Sequence, residues 1–317
     1  MNEVVDIDNL NIIVSVDQLF WINICLGFLM FGVALDIKLE DFKALFKTPR
    51  PILTGLASQL LLLPFLTFLL VLIIKPHPGI ALGMMLVAAC PGGNISNFLV
   101  HLAKGNVALS VTLTSITTVT AFIITPLNLV FWGNQYEPTN EILKQFQLDP
   151  GQLIWILVQL VLIPLIVGLF FVYYLPGLTR KIKKAVKVLS MLIFFGIIVG
   201  ALISNADNLL IYVKLVFLLV LVHNGIAFAA GWFFSKAVRL DRKDSISICI
   251  ETGIQNSGLG LIIIYNFYDG MGSMVLVAAW WAIWHLIAGF VLVGIINYRS
   301  SVVMRRSKFK TLDQKDI

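Results

Sequence analysis

The stretch ICIETGIQNSGLG, residues 248–260, sets a carboxylate, two amides and three glycines inside an otherwise oily segment. No other acidic residue of the chain lies as far from the end of an apolar run as Glu251. A carboxylate at mid-membrane depth costs at least a few kcal/mol unless it has a partner or a proton. What surrounds this one group therefore decides both the architecture and the function.

The surroundings are apolar on a scale that soluble domains do not reach. Of 317 residues, 59% are hydrophobic and 13% charged, against roughly 25% charged in soluble domains. The apolar residues gather in nine blocks, 19–37, 51–74, 80–103, 107–131, 151–175, 186–204, 213–235, 244–267 and 273–298. About 20 such residues cross the hydrocarbon core as a helix. A barrel strand would alternate in polarity, whereas LLLPFLTFLLVLII (61–74) is apolar on every side. The expectation is an all-α membrane protein with nine transmembrane helices.

The formal net charge of +6 does not call for nucleic acid, because basic loops mark the cytoplasmic side of a membrane protein. Threading nine helices through the 23 Lys and Arg leaves 20 of them on one side and Lys75, Lys144 and Lys214 on the other. That puts the N-terminus outside and the C-terminus inside, for a multi-pass protein of the plasma membrane. The first 18 residues carry four acids and no Lys or Arg, unlike the positive front of a secretory signal, so the first block is expected to be retained. Cys25, Cys90 and Cys249 stand singly inside predicted spans and read as small buried hydrophobes, with no disulfide framework or metal knuckle.

The third and eighth blocks are interrupted near their midpoints. CPGGNISN (90–97) combines a proline, which removes a backbone donor, with two permissive glycines. The third helix is predicted to resume near Asn94 and the eighth near Gln255 or Asn256, with Asn or Ser as caps. The interrupted helix is third in blocks one to four and third in blocks six to nine, and an offset of five reverses the direction of crossing. Two inverted repeats with discontinuous helices that cross are the pattern of a secondary transporter. Small residues four apart, Gly225 with Ala229 and Ala227 with Gly231, are expected to allow close helix approach. Trp280, Trp281 and Trp284 are expected to pack in the core, and NQYEPTNEILKQFQLDPG (134–151) to hold a short surface helix.

No Lys or Arg lies deep in any span, so Glu251 is either protonated and bonded to nearby amides or partnered by a mobile cation. Hard cations take oxygen ligands. The breaks supply Asn94, Ser96, Asn97, Glu251, Gln255 and Asn256, and the fourth helix adds Ser110 and Thr114, four apart and so on one face.

CPGGNISNFLVHLAKGNVALSVTLTS (90–115) and ETGIQNSGLG (251–260) resemble the two signature regions of the bile acid:sodium symporter family, and the likeness runs through most of the nine helices. The resemblance implies two sodium ions. One would be held by the side chains of Ser96, Asn97, Ser110, Thr114 and Glu251. The other would be held by Gln59, in GLASQLLLLP (55–64), with Glu251, Gln255 and the carbonyls of Thr252 and Ile254. It also implies a core domain of helices at about 51–131 and 213–298, and a panel domain at about 19–37 and 151–204 that rocks against it. Asn94 stands where the family commonly has Thr, and Ile254 where it often has Met. Asn94 and Asn256 are the expected substrate contacts.

The function expected is sodium-coupled secondary active symport of an organic anion by alternating access. Bile acids, bile-acid-like steroid conjugates and smaller carboxylates such as pantoate all meet the charge argument. Two sodium ions against one carboxylate leave a positive excess, and the restarted half-helices aim positive dipole ends at the gap. The alternative is a proton-coupled transporter or sodium/proton exchanger with Glu251 as proton carrier. An enzyme built on His101, His223 or His285 would lack metal-ligand spacing and an adjacent nucleophile; a buried, hydrogen-bonded histidine is the plainer reading of each.

Overall fold

The computed structural model describes residues 16–38, 40, 43, 47–146, 150–203 and 206–313. The acidic stretch 1–15, Lys315 and part of the basic loop 39–46, all used in the charge argument, lie outside the described residues. Among the described residues the fold is helical and without strands, and helix falls on every apolar block.

Helix α1 spans Val16–Ala34. A continuous rod follows: α2 (Pro49–Ala57), a π-helical turn (Ser58–Leu62) and α3 (Leu63–Ile74). The interrupted third block is α4 (Pro78–Ala89) and α5 (Ile95–Leu102). Then come α6 (Val107–Asn134), the short loop helix α7 (Glu137–Gln145), and a second rod of α8 (Pro150–Leu157), π turn (Val158–Leu162) and α9 (Ile163–Tyr174). The chain continues through α10 (Pro176–Ile203) and α11 (Ala206–Ala237), the interrupted pair α12 (Arg242–Gly253) and α13 (Ser257–Phe267), and α14 (Gly272–Asp313). Five of these rods, Pro49–Ile74, Val107–Asn134, Ile154–Tyr174, Val216–Ala237 and Gly272–Arg299, are long and apolar enough to cross a membrane.

Several helices overrun the apolar blocks. The sixth begins at Pro176 instead of 186, the seventh at Ala206 instead of 213, and the ninth runs to Asp313 instead of 298. Lys and Arg are good helix formers, so in the sixth and ninth helices charge ends an apolar run without ending the helix.

The distribution of side chains is inverted relative to a soluble protein. Ile73, Phe233 and Tyr298 are 69–79% exposed, while Ser58, Gln59, Ser96, Ser110, Glu251 and Thr252 are fully buried. Lipid tails are as apolar as leucine, so an oily exterior costs nothing in a bilayer, and buried polar groups must find partners inside the protein. This is a multi-pass membrane protein.

The packing refines the smaller expectations. A Cβ on Gly231 would stand 2.6 Å from the Ile248 carbonyl, so α11 and α12 do approach closely there; Gly225 faces open space and makes no such contact. Trp281 is fully buried, with Trp280 and Trp284 partly buried against the same core. Cys90 and Cys249 are buried but Cys25 only partly so. His223 is buried and bonded to Thr67 (2.7 Å), whereas His101 is exposed, because the last turn of α5 leaves the packed interior. Pro64 deprives the Leu60 carbonyl of its helical donor, and Asn128 Nδ2 from α6 supplies one instead (3.1 Å).

Candidate ion and substrate site

The two interruptions meet. Gly93 N–H donates to the Ile254 carbonyl (2.9 Å) and Asn256 N–H to the Pro91 carbonyl (2.8 Å), an antiparallel bridge with Gly92 opposite Gln255. Broken helices strand backbone groups at a depth where no water reaches them; here each break satisfies the other. Further partners come from neighbouring helices. Gly92 N–H reaches Thr117 Oγ1 (3.3 Å), and Asn224 Nδ2 of α11 donates to the Gly253 carbonyl (2.7 Å).

The restarts fall where the sequence placed them, but only one is capped. Asn256 Oδ1 accepts from Leu259 N–H (3.2 Å). Asn94 occupies the N-cap position of α5 with no side-chain cap bond, contrary to its expected capping role: its backbone is already in the helical region (φ −57°, ψ −23°), whereas a capping side chain needs non-helical backbone to reach forward.

Glu251 lies in the last turn of α12, fully buried. Its Oε1 accepts from Ser96 Oγ and Ser110 Oγ, and from Thr114 Oγ1 at 3.1 Å. Its Oε2 accepts from Thr114 Oγ1 (2.9 Å) and Gln59 Nε2 (3.4 Å), and Gln59 Nε2 also donates to the Glu251 carbonyl (2.8 Å). Every partner of the carboxylate is a hydroxyl or an amide. Asn97 joins through Ser110, whose Oγ lies 2.8 Å from Asn97 Oδ1.

This cluster has more oxygens than protons to share. The single Ser110 proton faces both Asn97 Oδ1 and Glu251 Oε1. The single Thr114 proton faces the Ser110 carbonyl and both carboxylate oxygens. Such crowding repels unless a proton or a cation sits among the oxygens, and the donor set is one that a hard cation takes. No three His, Cys, Asp or Glu converge among the described residues.

Beside it, Gln59 Oε1 and Gln255 Oε1 are buried without partners. Gln255 Nε2 donates to the Thr252 carbonyl (2.8 Å), and the Ile254 carbonyl is engaged by Gly93. Orphaned buried amide oxygens are costly, and these two are of the type a second cation would take. Asn94 and Asn256 both stand half-buried next to the bridge.

Three contributors escaped the sequence. Thr252 Oγ1 already donates to Ile248 O (2.8 Å), so Ser58 is the donor across the 2.8 Å contact between their hydroxyls. The π turn at Ser58–Leu62 widens the helix and lets the consecutive side chains Ser58 and Gln59 both reach α12. Thr117 and Asn224 complete the set. Their only signal was a polar residue in an apolar span.

Comparison with known proteins narrows the chemistry. Residues 23–211 match the family model described as the sodium bile acid symporter family. The chain belongs to that family. It is 34% identical over 275 residues to an uncharacterized sodium-dependent transporter, YocS, of Bacillus subtilis (strain 168), covering 86% of this chain and 81% of that one. It is 30% identical over 278 residues to the probable chloroplastic sodium/metabolite cotransporter BASS1 of Arabidopsis thaliana (87% and 66%), and 32% over 245 residues to the corresponding BASS2 of Oryza sativa subsp. japonica (75% and 55%). The chain thus spans less than two thirds of these plant relatives' length. Membership makes it a sodium-dependent transporter, and its relatives are transporters rather than enzymes.

Proposed function

We propose that the chain carries two sodium ions together with one organic anion across the plasma membrane by alternating access. The observation that supports this most is the fully buried Glu251 carboxylate, surrounded only by hydroxyls and amides at the meeting point of two interrupted helices. Ser96, Asn97, Ser110, Thr114 and Glu251 hold one ion; Gln59, Glu251, Gln255 and the Thr252 and Ile254 carbonyls hold the other. With both ions bound the site is positive by one charge, and α5 and α13 begin at the gap with their positive ends. The substrate is therefore an anion. It docks near Asn94 and Asn256, and bile acids, related steroid conjugates and small carboxylates such as pantoate are the candidates. Ions that order the crossover complete the substrate surface, and by linkage substrate strengthens ion binding equally.

In this reading nine helices cross the membrane with the N-terminus outside and the C-terminus in the cytoplasm. Helices α2–α6 and α11–α14 form the core, and α1 with α8–α10 the panel. The packing of α1 on α9 and α10 supports that division. Uptake of radiolabelled taurocholate and of pantoate into proteoliposomes tests the proposal. An inward sodium gradient drives uptake of one of them in the native chain, and Glu251→Gln abolishes it while the protein stays folded. Uptake that persists with choline in place of sodium and follows a pH gradient would assign Glu251 to protons instead.

A further inference from the structure

Far from the crossover, two amides form a closed pair. Asn23 Nδ2 donates to Asn266 Oδ1 (3.0 Å) and Asn266 Nδ2 donates back to Asn23 Oδ1 (2.8 Å). The second hydrogen of Asn266 Nδ2 holds Ile262 O in its own helix (2.9 Å), which fixes the orientation of that amide. Both residues are half-buried. Asn23 lies on α1, whose main packing is against α9 and α10. Asn266 lies in the last turn of α13, ten residues beyond the cap Asn256, or about 15 Å along a rigid helix from the crossover. The other end of α1 is tied within its own group, by the ion pair of Asp36 with Lys183 of α10 (2.8 Å). The amide pair thus joins the two helix groups in the N-terminal half of α1, where α13 finishes.

We infer that Asn23 and Asn266 are the outer gate latch of the transport cycle, holding the site closed to the outside in the state this structure describes. The inference rests on the alternating-access reading above. Opening the outer face separates α1 from α13 and breaks both bonds of the ring together, so the pair acts all-or-none. Once separated, each amide needs a new partner where only water entering an open vestibule supplies one. The latch therefore favours two states, dry and closed or wet and open, over anything between. Interhelical polar contacts of this kind are worth about a threefold to twentyfold bias in an equilibrium between packed states.

The test uses the full chain in right-side-out vesicles in choline chloride, so that it needs neither sodium nor substrate. Cys25 is replaced by Ser, Cys90 and Cys249 being buried. Asn94→Cys then reports access to the crossover through a membrane-impermeant maleimide added outside. Asn23→Ala, Asn266→Ala and the double variant should each raise outside labelling by about threefold to twentyfold. The double variant should match the singles, because losing either partner opens the ring. Oxidised N23C/N266C should abolish outside labelling, and reduction should restore it; this arm stays informative if an alanine variant folds poorly. Unchanged labelling, additive effects, or a cross-linked chain that still labels from outside would overturn the latch. A reporter that labels neither from outside nor, in inside-out vesicles, from the inner face in any variant would instead sink the alternating-access reading itself.

Discussion

The two breaks in the helices are built differently. At the α12–α13 break side chains hold the backbone: Asn224 on the Gly253 carbonyl, Gln255 on the Thr252 carbonyl, Asn256 on the first turn of α13. At the α4–α5 break the chain is held by Thr117 on Gly92 and by the bridge itself, and the Asn94 side chain is left uncommitted. The glycines there make room for the other side: a Cβ on Gly92 would stand 2.8 Å from Glu251 Oε2 and 3.0 Å from Gln59 Nε2. One break is a braced frame for the carboxylate. The other supplies clearance and an uncommitted amide, where the proposed function puts the substrate.

The largest test of that division is Gly92→Ala. The added methyl displaces Glu251 or Gln59, and sodium-driven uptake should fall to background, whereas Gly93→Ala, whose Cβ would meet the Gln255 carbonyl at 3.2 Å, should retain part of it. Uptake assays on the two variants check this. Next comes Ser110→Ala with Thr114→Ala. Hydrogen bonds and ligand contacts to a charged group are worth about 1.5–3 kcal/mol, so the half-saturating sodium concentration should rise on the order of tenfold or more, with little change in substrate affinity at saturating sodium. A shift in substrate affinity alone would move these hydroxyls out of the ion site. The smallest contrast is between the two asparagines. Asn256→Ala removes a cap and should cost about 1 kcal/mol of stability, visible as a lower unfolding temperature. Asn94→Ala should leave stability within about 0.5 kcal/mol while altering which anions stabilise the protein.

What the sequence conveyed follows the same division. Proline, paired glycines and a carboxylate in mid-span are too costly to be accidental, so both breaks and Glu251 could be read directly. Ser110 and Thr114 were suggestive only in company, and Gln59 emerged from the family resemblance. Ser58 and Thr117 stayed hidden because hydroxyls in membrane helices commonly bond their own backbone, as Thr117 also does with Leu113 O (2.9 Å), and Asn224 because its partner, the Gly253 carbonyl, lies on another helix. The π turn lies in a run of leucines with no period to betray it. The pairing of Asn23 with Asn266 joins residues 243 apart, beyond the reach of any local pattern. Where helices end was legible for apolar stretches but not where Lys- and Arg-rich turns carry the helix on into water.

The central claim is that an alkali cation, and not a proton, partners the buried carboxylate. Thermal unfolding of the purified protein at fixed pH and ionic strength, with sodium chloride progressively replacing choline chloride, tests it most directly, since a ligand that binds only the folded state raises stability with its concentration. The account predicts a saturable rise in unfolding temperature for the native chain and none for Glu251→Gln. Equal unfolding temperatures in the two salts for the native chain would contradict it.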